Sequence, residues 1–120
     1  MQGRGLVHGI AVLKNASFLH AQVARLLAAG GYPVYNNYFL HTEFHEGGYA
    51  KTTPRLLSFC SDFEALTGIV LDPIYSGKMA FGVSQLSRLG YFRNSDRVVM
   101  VHTGGLQGMR GMSPTGNKPA

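Results

Sequence analysis

Three short segments combine glycine with side chains that can bind a polar ligand or move a proton. Gly47-Gly48-Tyr49-Ala50-Lys51 offers a phenol and an ammonium, and Tyr75-Ser76-Gly77-Lys78 adds a hydroxyl to the same pair of groups. Thr103-Gly104-Gly105 offers a hydroxyl and bare backbone. Glycine lets a backbone come close to a ligand and take conformations that other residues resist. Each segment alone reads as a plain turn or cap. Together their phenols, hydroxyls and lysines read as one pocket for a flat, polar cofactor.

Other chemistries are less well served. His41 and His45 are four residues apart, the spacing that shares one helical face. No glutamate directly follows the first histidine, as a zinc-protease helix requires, and Gly47-Gly48 comes at once, so no metal site is expected. His102 ends an apolar run and reads as a hydrogen-bonded, partly buried residue. Cys60 has no base or helix N-terminus beside it to lower its pKa, and reads as buried and inert. Neither a Gly-x-Ser-x-Gly elbow nor a Walker phosphate loop occurs.

The elements that must position these residues alternate in type. Leu6–Leu13 is a nearly continuous apolar run, suited to a strand buried on both faces. Asn15 can cap a helix from Ala16, with a stripe of Phe18, Leu19, Gln22, Val23, Leu26 and Leu27, stopped at Gly30-Gly31. Tyr32–Leu40 is rich in aromatic residues and holds a second expected strand. Thr53-Pro54 is a strong helix start, predicting a helix to about Thr67 with Gly68 as its end. A further helix is expected from about Gly77 to Leu89, closed by Gly90. Its start, with free N–H groups and a positive dipole end, suits anionic ligand atoms. Arg97–His102 reads as the clearest buried strand, running into Thr103-Gly104-Gly105, and ligands of open α/β sheets bind at such strand ends. The expected fold is α/β: a partial, mostly parallel open sheet with flanking helices. Residues 1–112 form one incomplete domain, and 113–120 have the composition of a disordered tail.

Composition narrows the classes. The 120 residues hold 16 glycines, one cysteine and only 14% charged residues, against roughly 25% in ordinary domains. One cysteine excludes a disulfide framework and fits a reducing, cytoplasmic setting. No apolar run is long enough to cross a membrane. The net charge of +5 invites a nucleic-acid reading, but the eleven cations are scattered. Affinity for phosphates needs cations clustered together.

The run Gly47-Gly-Tyr-Ala-Lys, then Thr53-Pro, then Gly68-Ile-Val-Leu-Asp-Pro-Ile-Tyr-Ser-Gly-Lys-Met-Ala, then Val101-His-Thr-Gly-Gly-Leu resembles a known family. It is similar to the C-terminal part of the 1-aminocyclopropane-1-carboxylate deaminases and D-cysteine desulfhydrases, pyridoxal-phosphate enzymes of the tryptophan-synthase-β fold type. The likeness covers roughly Gly5 to Met109. It implies that Tyr75 lies against cofactor and substrate and takes part in proton transfer, with Tyr49 facing it. Ser76 stands where the deaminases carry glutamate and the desulfhydrases threonine, near the pyridine nitrogen. A hydroxyl there cannot protonate that nitrogen as a carboxylic acid could, which favours β-elimination over ring opening. Gly77 belongs to the same cofactor-binding motif. Thr103, with Gly104 and Gly105, borders the ring.

The resemblance also places the Schiff-base lysine, in an Asn-Lys motif, and the phosphate-cradling loop in a region that precedes the matched part. Lys51 and Lys78 match other family positions. The implied function is β-elimination or deamination of a small amino acid, such as D-cysteine, with this chain expected to be inactive alone. It would need a separate N-terminal chain or further copies of itself. A different reading is a small basic protein binding nucleic acid or a phosphate metabolite through Gly104–Gly111 and the cationic ends.

Overall fold

The computed structural model describes residues 5–33 and 35–105. The tail and most of Gly104–Gly111 therefore lie outside the described residues. Strand β1 (Val7–Ile10) is followed by a short 3-10 turn (Ala16–Phe18) and helix α1 (Leu19–Ala29). Strand β2 (Tyr38–His41), helix α2 (Pro54–Thr67) and helix α3 (Ser76–Arg88) complete the order. The two strands are parallel, Val7 opposite Tyr38 and Ile10 opposite His41. They form a β-α-β unit, the connection parallel strands need. This is the expected α/β class, with a two-stranded sheet.

Local chemistry sets most of these boundaries. Thr53 Oγ1 accepts from the Leu56 N–H at 3.2 Å, Pro54 occupies the first helical position, and Gly68 ends α2 in the left-handed region at φ 75°. Asn15 precedes the first helical turn but makes no side-chain cap; its backbone is left-handed at φ 56°. In α1 the half-buried positions are Leu19, Val23 and Leu27, a narrower line than the expected stripe, and Leu26 is 74% exposed.

The core lies around α3. Ala80, Phe81 and Leu86 are buried there, with Leu56 from α2 and Phe44 from the loop after β2. The Phe59 ring meets Phe81 edge-on at 5.6 Å, and the Arg55 guanidinium lies 5.2 Å from the same ring. At Gly82 a Cβ would come within 3.2–3.3 Å of Phe44 and Ile10, so the missing side chain lets α3 settle onto β1. His8 and His41 join the strands through an Nδ1···Nε2 hydrogen bond of 3.0 Å. Their rings lie within 18° of parallel with centroids 5.2 Å apart. That nitrogen separation is shorter than the gap between stacked rings, so the pair meets edge to edge.

Two sequence expectations fail here. The β1 run is not buried on both faces: Leu6 is 63% and Val7 44% exposed, because only one face of the pair meets α3. Arg97–His102 is not a strand, and Val99 and Val101 are 76% and 68% exposed. Its β-forming residues find no neighbouring strand among the described residues, and a ladder needs a partner. No helix among the described residues is long and apolar enough to cross a membrane.

Leu56, fully buried between α2 and α3, and Leu66, 86% exposed, give a direct test of this packing. Leu56→Ala should cost about 2–5 kcal/mol in urea unfolding, and Leu66→Ala less than about 0.5 kcal/mol.

Candidate active site

The three glycine-containing segments converge. At the start of α3 the chain turns through Asp72-Pro73-Ile74-Tyr75, and the Asp72 carboxylate, with no exposed surface, organises that turn. Its Oδ1 accepts from the N–H groups of Ile74 (2.9 Å) and Tyr75 (2.6 Å). Its Oδ2 accepts from the Ser76 N–H (3.0 Å) and the Ser76 hydroxyl (2.6 Å). Ser76 Oγ in return accepts from the Asp72 N–H at 3.0 Å, and the Gly77 N–H donates to the Asp72 carbonyl at 2.6 Å. Burial works against the charge on Asp72. The bonds from Ser76, Tyr75 and Ile74 outweigh it and hold the carboxyl below its usual range.

This corrects the expectation that the α3 start offers free N–H groups to an anion. The N–H groups of Ile74, Tyr75, Ser76 and Gly77 are taken by Asp72. Gly77 is explained by packing: a Cβ there would stand 2.5 Å from the Asp72 carbonyl oxygen and 2.7 Å from Cys60 Sγ. Cys60 itself is pushed up to about 11 by burial and by the Asp72 charge, in keeping with an unreactive thiol.

The cap leaves Tyr75 outward, 45% exposed, where its hydroxyl meets that of Tyr49 at 2.5 Å. The rings are edge-on with centroids 6.0 Å apart. The bond from Tyr49, then partial burial and the negative Asp72, raise the Tyr75 phenol above its ordinary pKa. Tyr49 is 51% exposed, so the paired hydroxyls face open space. The third segment closes against them. His102 Nε2 bonds the Val70 carbonyl at 2.9 Å and its Nδ1 accepts from the Gly104 N–H at 3.0 Å. Gly105, at φ 86°, is so near that a Cβ would lie 3.1 Å from Asp72 Oδ2 and 3.8 Å from the Tyr75 ring. Thr103 is exposed beside it.

The loop bearing Tyr49 is fixed from two sides. Glu46, buried, accepts from Arg55 Nε (2.9 Å) and Nη2 (2.7 Å) and from the Thr53 hydroxyl. Those bonds, the arginine's first, hold its carboxyl below the usual range against burial. Lys78, with no exposed surface, donates from Nζ to the Gly48 carbonyl at 2.8 Å. Burial pulls its ammonium below the ordinary lysine range, partly opposed by Glu46.

The chain is similar to several known proteins. The chain is 36% identical over 63 residues to the bifunctional D-cysteine desulfhydrase/1-aminocyclopropane-1-carboxylate deaminase, mitochondrial, of Arabidopsis thaliana, a match covering 52% of this chain and 16% of that protein. It is 32% identical over 66 residues to a protein provisionally named 1-aminocyclopropane-1-carboxylate deaminase in Pyrococcus horikoshii, covering 55% of this chain and 20% of that one. A like-named protein of Pyrococcus furiosus is 29% identical over 104 residues, covering 83% of this chain and 31% of its own length. Over these stretches the chain is similar to proteins named 1-aminocyclopropane-1-carboxylate deaminase or D-cysteine desulfhydrase. It spans between 16% and 31% of the length of these relatives. No family model matches it.

Tyr75, Ser76, Gly77 and Gly105 gather around Asp72, Tyr49 meets Tyr75, and Thr103 and Gly104 precede Gly105 in the chain. The histidines do not join: His41 pairs with His8 across the sheet, and no metal-holding cluster exists among the described residues. Sequence reading passed over Asp72, although an Asp-Pro step is a turn signal and an aspartate readily bonds backbone N–H groups just beyond it. It also passed over the burial of Lys78 and the Glu46–Arg55 pair, which have no local sequence signature.

Asp72 and Glu46 titrate lower in the folded chain than unfolded, so their stabilisation is complete above the unfolded carboxyl range and lost as pH falls through the depressed values. The urea midpoint should drop between about pH 5 and about pH 3. Asp72→Asn should be less stable at neutral pH by about 1.5–3 kcal/mol and should show a smaller acid drop.

Proposed function

We propose that this segment forms the two-tyrosine wall of a pyridoxal-phosphate site acting on a small amino acid, by β-elimination or deamination of the kind its relatives' names describe. The observation that carries the reading is the exposed Tyr49–Tyr75 hydroxyl pair, set on an anchored loop and a capped helix. The donor set fits the ring and substrate side of such a cofactor: phenols, a strand-end hydroxyl at Thr103, and glycine backbone at Gly104 and Gly105. It does not fit the phosphate, because Asp72 consumes the amides at the α3 start. Bound, the cofactor draws electrons away from the substrate's α-carbon.

The chain's own groups then have distinct tasks. Of the two phenols one donates to the other, leaving a single O–H free to hydrogen-bond a substrate or hand it a proton. The raised titration of Tyr75 keeps it protonated near neutral pH, which suits an acid rather than a base. The Ser76 hydroxyl proton is committed to Asp72, so Ser76 can accept from a protonated ring nitrogen but cannot donate to it. A hydroxyl at this position in place of a carboxylic acid supports β-elimination over ring opening. The single cysteine fits a reducing, cytoplasmic setting for this reaction. The phosphate loop and the lysine that bonds the cofactor would come from outside this segment.

Two measurements test this. Adding pyridoxal phosphate to ¹³C-tyrosine-labelled chain should shift the Tyr49 and Tyr75 resonances and leave Tyr32, Tyr38 and Tyr91 in place. Borohydride treatment and peptide mapping should find no specific adduct on Lys14, Lys51, Lys78 or Lys118. A stoichiometric adduct at Lys51 or Lys78 would overturn the division of labour.

A further inference from the structure

The loop from Glu46 to Ala50 follows a path that few sequences tolerate. Glu46, Gly47, Gly48 and Ala50 all have positive φ, at 52°, 104°, 131° and 58°, and two of them carry a Cβ. Such a path persists only where its surroundings over-determine it. The Glu46–Arg55–Thr53 cluster fixes one end, at the start of α2. The other fixed point is the Gly48 carbonyl, and its peptide unit contains the Tyr49 nitrogen. Its side-chain donor is Lys78 Nζ, 2.8 Å away.

Lys78 sits one turn along α3 from Tyr75, so the helix start that presents one phenol also grips the loop that presents the other. Filling space would need no ammonium: a methionine packs there without the cost of burying a charge. The bond to Gly48, with the Glu46 carboxylate near by, is what compensates that burial.

We infer that Lys78 is a positioning residue, whose ammonium, by holding the Gly48 carbonyl, keeps the Tyr49 hydroxyl on that of Tyr75. Its catalytic meaning rests on the function proposed above; the geometry does not.

The test reads the phenol pair directly, without cofactor. In the full chain labelled with ¹³Cζ-tyrosine, Tyr75 should titrate above an ordinary tyrosine, and Tyr49→Phe should remove the largest part of that displacement, leaving what burial and Asp72 supply. Lys78→Met should lower it by the same amount, with unchanged far-UV circular dichroism, and the double variant should show no further loss. Direction separates this from a charge effect. The charged groups nearby are Asp72 at Tyr75, Glu46 with Arg55 at Lys78, and Lys14 and Lys51 beside Gly48; the first three keep their charge through the tyrosine range, and the two lysines are present in every variant. Removing the Lys78 charge by itself would push the phenol higher, not lower. Lys78→Arg, which keeps a cationic donor, should restore part of the displacement. If Lys78→Met does not fold, Lys78→Gln decides in the same way. A Tyr75 titration that loss of the lysine leaves unchanged, while Tyr49→Phe lowers it, overturns the role of Lys78 alone. A Tyr75 titration that Tyr49→Phe leaves unchanged removes the phenol pair itself, and the proposed function with it.

Discussion

A single buried carboxylate holds the site together. Asp72 is fully enclosed, yet its two oxygens take four donors from three residues, Ile74, Tyr75 and Ser76. An isolated charge could not be buried so, and only this density of hydrogen bonds offsets its desolvation. The geometry has consequences in every direction. It starts α3, turns Tyr75 out of the core, and closes Ser76 inward. Its own main-chain carbonyl stands where a Cβ at Gly77 would fall, and Oδ2 crowds position 105, where a Cβ would lie 3.1 Å away. The site is thus built by a helix cap, with the remaining loops arranged against it.

The elements with local signals were legible in the sequence. Thr53-Pro54 and Gly68 bound α2 because a side-chain cap, a fixed φ and a left-handed stop are each decided by one or two residues. The Gly-Gly-Tyr, Tyr-Ser-Gly-Lys and Thr-Gly-Gly turns were legible as one cluster, and they do meet. What failed was long-range. Arg97–His102 has every intrinsic preference of a strand, but a strand is a pairing, and pairing depends on what lies alongside. The α3 start was read as an open anion site because its N–H groups are orphaned in any helix. Whether a side chain four residues earlier has already claimed them depends on the turn between.

Charge is scarce in this chain, and its placement shows where it is used. Among the described residues Glu46 and Asp72 are buried acids and Lys78 a buried cation, and all three converge on the loop and helix start that carry the tyrosines. The most enclosed ionic groups therefore serve the geometry of two exposed, neutral phenols. That is the economy expected of a site whose reacting groups must stay accessible while their carriers stay rigid.

The same cap that builds the tyrosine wall also fixes what it cannot hold. A phosphate dianion needs several convergent N–H donors, and a helix start is the commonest place to find them. Here those amides already face a carboxylate, which would repel a phosphate as well as deny it donors. On the proposed function, a cofactor lying against Tyr49 and Tyr75 would present its ring and substrate to this segment and its phosphate to another. The division is a matter of electrostatics at one residue. With Asp72 ionised, the wall formed by α3 and the Gly47–Gly48 loop favours neutral or protonated ligand atoms. The exposed phenols, the glycine backbone at 104 and 105, and a serine restricted to accepting all match that polarity.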